Sequence, residues 1–200
     1  MGNLFEEIVG TCKHKQVESL CKKLAKKMSF KSGNDVENLC HLTYWLYILG
    51  EKDFAKKCIS LTDSIPFDIN YNVWTFIHAM WGLQIRILRE NGKNAEADEI
   101  AEAINQHYLT PSKQFNETPE KMQINERKRR SRFTLGEVSN QAKVEGALAD
   151  NDNKSANRWR FSALLRLIGD TETGLFPFLN EDKDKIEEVI KKYVEEILKK

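Results

Sequence analysis

The sequence predicts an all-α protein, one domain over residues 1–200, with eight to ten antiparallel helices arranged as stacked hairpins around a central buried helix. Three observations carry this expectation. The stretch 71–91, YNVWTFIHAMWGLQIRILREN, has apolar residues on almost every side of a helix, the pattern of a helix enclosed by its neighbours. Several other segments repeat apolar residues at i, i+3, i+4 and i+7 between breakers of Gly, Asn, Ser and Pro. No segment alternates apolar and polar residues for long enough to argue a strand.

Taken in order, residues 3–13 predict a short helix with Leu4, Phe5, Ile8 and Val9 inward. Lys15–Phe30 predicts a second, in which Val17, Leu20, Cys21, Leu24, Ala25 and Met28 hold the helical rhythm. Lys22, Lys23, Lys26 and Lys27 fall on its other, solvated face. After KSGND, with Asn34 or Asp35 as N-cap, a third helix runs to about Leu49 and ends at Gly50. A fourth, Lys52 to about Thr62, follows so closely that the two fold back as a hairpin. The central helix stops at Asn91 and Gly92, and Asn94 caps the Ala/Glu-rich helix of a second hairpin. A polar loop over 110–121 contains Thr118 as N-cap and Pro119 at the first helical position, and a helical region continues to about Asp150. A helix over Asn153–Ile168 is ended by Gly169, an apolar loop over 171–182 lies across the core, and the final helix spans Lys183–Lys200.

Composition narrows the function classes. Of 200 residues 40% are apolar, enough for one filled core, and the formal charge of +1 supplies no global field toward nucleic acid or a membrane. His78, Gln84 and Arg86 interrupt the central stretch, which excludes it as a bilayer span. Glu6 and Glu7 stand where a signal peptide would be positive, so a cytoplasmic protein is expected; Glu6 also replaces the Ser or Thr that myristoylation of Gly2 requires. Cys12, Cys21, Cys40 and Cys58 form no CxxC pair and His14, His41, His78 and His107 offer no ligand spacing. The thiols read as small buried hydrophobes, with no metal and no cofactor expected.

Two groups of residues are candidate binding sites. Thr75, His78, Gly82, Arg86 and Arg89 step by three, four, four and three along the central helix and so share one line. That line is either the helix's polar strip, with Gly82 admitting a neighbour, or the floor of a groove suited to a partner's carboxylate. If structural, Arg86 and Arg89 should pair with acids of the following helix such as Glu96 or Glu99. The second group is the basic run Arg127, Arg129, Arg130 and Arg132, with Arg158 and Arg160 as additions, a possible site for nucleic acid or phosphate. Consecutive cations on a helix point in all directions, and ionic pairing with nearby acids is the competing account.

Aligned on Gly50 and Gly92, the two hairpins repeat at an offset of 42, with Ala55 and Ala97 five residues beyond the glycine, Leu46 and Leu88 four before it, and Leu39 and Trp81 eleven before it. In Trp81, Leu88, Gly92 and Ala97 this resembles the tetratricopeptide helical-hairpin repeat, over residues 36–106. That family's repeat is about 34 residues, shorter than the interval here. The family's close-packing glycine is Thr43 in one copy and Ile85 in the other. The resemblance implies stacked antiparallel helices and binding of a peptide or another protein. No HExxH, GxSxG, P-loop or GxGxxG motif occurs, so no catalytic residue is assigned. The expected function is therefore that of a cytoplasmic, non-catalytic protein-interaction module, such as a scaffold or a toxin-capping helical protein of the immunity type. The alternative is a nucleic-acid or phosphate binder using residues 127–132.

Overall fold

The structure, a computed structural model, describes residues 2–26, 28–67, 71–109, 140, 142–173 and 183–199. Among these it is all-helical, with no strand. The helices are α1 Gly2–Thr11, α2 Lys15–Lys26, α3 Gly33–Ile48, α4 Lys52–Ser60, α5 Tyr71–Glu90, α6 Asn94–Leu109, α7 over 142–149, α8 Asn153–Thr173 and α9 Lys183–Leu198. α5 is the centre: it packs against α3, α4, α6 and α8, while α1 and α2 extend the stack beyond α3 and α9 covers α8. Trp74, Ile77, Met80, Leu83, Ile85 and Ile87 of α5 are all buried, as expected of a helix with neighbours on several sides. All four cysteines are buried and free. Burial pushes the thiols of Cys21 and Cys58 up to about 11 and about 12, so they behave as core methyl-like groups.

Some boundaries differ from the sequence expectation. α2 stops at Lys26, short of Phe30. The N-cap of α3 is Ser32, whose Oγ accepts from Asp35 N–H, rather than Asn34 or Asp35; Asp35 turns back to accept from Ser29 N–H at 3.0 Å. α8 does not end at Gly169 but continues through it to Thr173, so the first residues assigned to the loop 171–182 are helical. Gly169 keeps a helical backbone, whereas Gly50 and Gly92 adopt φ of +86° and +73° as true helix stops.

The turns at Gly50 and Gly92 share one hydrogen-bond pattern. Gly50 N–H donates to Tyr47 O and Glu51 N–H to Leu46 O; 42 residues on, Gly92 N–H donates to Arg89 O and Lys93 N–H to Leu88 O. Both are Schellman turns. The turn from α7 to α8 is a third: Asn151, at φ +57°, donates to Leu148 O and Asp152 N–H to Ala147 O. Five residues beyond each left-handed residue stands a fully buried alanine, Ala55, Ala97 or Ala156. Alignment on glycine does not reveal this third turn because asparagine, the other residue that tolerates the left-handed region, stands in its place.

Candidate binding cleft

Each residue of the predicted stripe lies on α5, and His78, Gly82, Arg86 and Arg89 stand at its seams with α6, α8 and α9. His78 is buried and its Nε2 lies 3.1 Å from Nδ1 of His107 on α6, inside a cluster with Phe67, Trp74 and Trp81. Burial, with a smaller effect of His107, drives the His78 pKa down to about 3, so it is neutral at physiological pH. Thr75 is half-buried. Gly82 presses on α8: a Cβ there would stand 2.6 Å from Gly169 Cα and 2.7 Å from its carbonyl oxygen. The Tyr44 hydroxyl of α3 lies 2.8 Å from Ala79 O and 3.2 Å from Leu165 O, sharing its proton between α5 and α8 beside this crossing.

Arg86 donates through both terminal nitrogens to Glu187 of α9, at 2.6 and 2.7 Å, and through Nε to Tyr47 Oη at 2.8 Å. Arg89 donates to the buried Glu172 of α8 at 2.9 Å and to Asp98 of α6 at 3.2 Å. The partners are thus mainly on α8 and α9, and not Glu96 or Glu99 as the sequence suggested. The hydrogen bond from Arg86, ahead of the opposing effect of burial, holds the Glu187 carboxyl below the usual range. Gly82 meets a packed helix, and the two arginines are bonded to internal carboxylates; the groove geometry is not what these residues form.

Of the basic candidates, Arg127, Arg129, Arg130 and Arg132 lie outside the described residues. Arg160 is buried on α8, donates to Asn157 Oδ1 at 2.6 Å and lies 3.9 Å from Glu196. Arg158 is exposed and lines a cleft of about 740 Å³ with residues of α2, α3, α8 and α9.

One wall of that cleft is a column of rings. Trp45 has His14 at 4.8 Å and Phe161 stacked on it at 4.9 Å and 15°, and His41 meets Phe161 edge-on at 5.4 Å. The column forms because α3 turns Trp45 and His41 toward the side where α8 presents Phe161, while the connection between α1 and α2 delivers His14. Desolvation lowers the pKa of both His14 and His41, which keeps them neutral. Around the column stand Lys15, Lys23, Lys154 and Arg158, all exposed, against the single carboxylate of Glu37. Among the described residues these four cations form no ion pair. Lys15 and Lys154 sit in the first turns of α2 and α8, so two helix N-termini add their positive ends to the same rim. The result is an electropositive cleft with an apolar wall.

Glu37, His41 and Ser162 also line it, the residue types of an acid, base and nucleophile. Glu37 and His41 are neighbours on one helix at 3.9 Å, but no hydrogen bond joins Ser162 to His41 among the described residues. A base must reach its nucleophile for proton transfer, and this set lacks that link. No group of three or more metal-ligating side chains occurs among the described residues.

A family profile matches the chain over residues 2–198. The protein belongs to DUF6707, a family of unknown function. No curated protein and no solved structure matches it. The match to the DUF6707 family takes in α1 to α9, so every element that lines the cleft falls within the family's own length. No helix among the described residues is long and apolar enough to cross a membrane.

Proposed function

We propose that this DUF6707 protein is a cytoplasmic, non-catalytic helical module that binds another protein through the cleft between α2, α3, α8 and α9. One observation supports it above the rest: four exposed cations that form no ion pair among the described residues surround partly accessible aromatic side chains there. Aromatic and arginine side chains beside a desolvated pocket are the usual anchors of protein interfaces. The hairpin turns add weaker support, through their likeness to tetratricopeptide repeats, whose stacked helices present concave binding faces. Scaffold and toxin-capping roles both fit such a module. The alternative, nucleic-acid or phosphate binding through residues 127–132, draws support from Arg158 alone, because Arg160 is buried and already bonded.

The test is affinity capture from native lysate with the wild-type protein and with a Lys23→Glu, Arg158→Glu variant. Both positions are exposed, so the fold should survive. A partner retained by the wild type and lost by the variant is the expected result. Recovery of the same partners by both proteins would overturn the assignment to this cleft.

A further inference from the structure

Resting on the cleft reading above, we infer that the occupant is an extended acidic peptide segment of a partner protein, carrying at least one aliphatic side chain between its carboxylates. The argument starts from the spacing of the cations. Lys154 and Arg158 are one turn apart on α8, and Lys15 and Lys23 are eight residues apart on α2. At the helical rise these separations are about 6 Å and about 12 Å. An extended chain advances about 3.3 Å per residue, so side chains on one of its sides recur at about 7 Å and about 13 Å. Within each helix the cations are thus spaced to meet carboxylates on alternate residues of a strand-like peptide.

The apolar wall separates a peptide from a nucleic acid. Single-stranded nucleic acid needs open ring faces on which bases stack. Here Trp45 already has Phe161 stacked on it at 4.9 Å and His14 tilted against it at 4.8 Å. Trp159, also lining the cleft, carries Lys143 Nζ at 4.2 Å and Arg158 Cζ at 5.4 Å from its ring centre. Both tryptophan rings are thus already contacted by protein groups, which leaves less open face for a base, while the methylene stems of the rim lysines can pack an aliphatic side chain. Three of the four rim cations are lysines, point charges without a fixed fork geometry, which suits carboxylates distributed along a flexible chain.

The experiment is fluorescence anisotropy of a labelled glutamate-rich peptide containing two leucines, at low and moderate salt, with an oligothymidylate and inorganic phosphate as competitors. Binding should occur at low salt, weaken with added salt, and fall at least tenfold in Lys23→Glu, Arg158→Glu, while thermal unfolding of that variant stays unchanged. A glutamate-rich peptide lacking leucine should bind more weakly. No peptide binding at low salt, or equal binding by wild type and variant, overturns the inference. Oligothymidylate or phosphate binding that the double variant abolishes, without peptide binding, also overturns it but leaves the cleft standing as a binding site.

Discussion

Arg86 binds Glu187 with both terminal nitrogens and Tyr47 with Nε, so its donors are committed inside the protein, only 14% of its side chain being exposed. Tyr47 passes the network on to Glu90, and Glu90 to Lys52, while Arg89 extends it through Glu172 to Asp98. The sequence shows that these arginines share a line, because that follows from helical spacing alone. It does not show their partners, since Glu172 and Glu187 lie 83 and 101 residues away and nothing local encodes that pairing. Replacing Arg86 by Met leaves Glu187 without its bidentate donor and Glu172 with one fewer cation. The cost should be about 3 kcal/mol, at the low end of the range for breaking a buried pair because Glu187 is one-quarter exposed. At this chain length that is roughly 6–12 °C in Tm. Thermal unfolding followed by circular dichroism checks it, and an unchanged Tm would mean the network contributes nothing.

At the scale of the element, the α5–α8 crossing is where sequence and structure part most clearly. A glycine after a periodic apolar run normally marks a helix stop, which is how Gly50 and Gly92 are used. Gly169 follows such a run too, yet it sits within α8, where its backbone is what Gly82 approaches. The crossing is asymmetric, and this gives a paired prediction. A Cβ on Gly82 would strike the backbone of α8 at 2.6 Å, where nothing flexible can yield. Gly82→Ala should therefore destabilise by about 1–3 kcal/mol or more, by forcing two packed helices apart. A Cβ on Gly169 would meet Ala79 Cα at 3.4 Å, an ordinary contact. Gly169→Ala should be neutral or gain up to about 1 kcal/mol from helix propensity. Chemical denaturation of the two variants decides it, and equal losses in both would show that the crossing is misdescribed.

For the whole molecule, the all-α architecture and its central helix are legible in the sequence because helical periodicity and enclosure by neighbours are properties of a local window. The hairpins are legible as well, since a left-handed residue and a short turn leave the next helix one direction to take. The cleft is not. Its lining comes from α2, α3, α8 and α9, and Lys23 reads as one of several solvated lysines until the structure sets it across from Lys154 and Arg158. No periodicity brings residues 14, 23, 45, 158 and 161 together; the packing of α8 against α5, of α5 against α3 and of α3 against α2 does so. The predicted stripe on α5 is the reverse case, a pattern evident in sequence in which the fold turns His78, Arg86 and Arg89 to partners within the protein.

The central claim, that this cleft is the surface through which the protein acts, is tested most directly by amide hydrogen exchange of the full chain, free and bound to its captured partner. Slowed exchange confined to residues 14–23, 37–45 and 154–162 is the predicted footprint. Slowed exchange that spares those segments and falls on α6, or on residues 127–132, would contradict it.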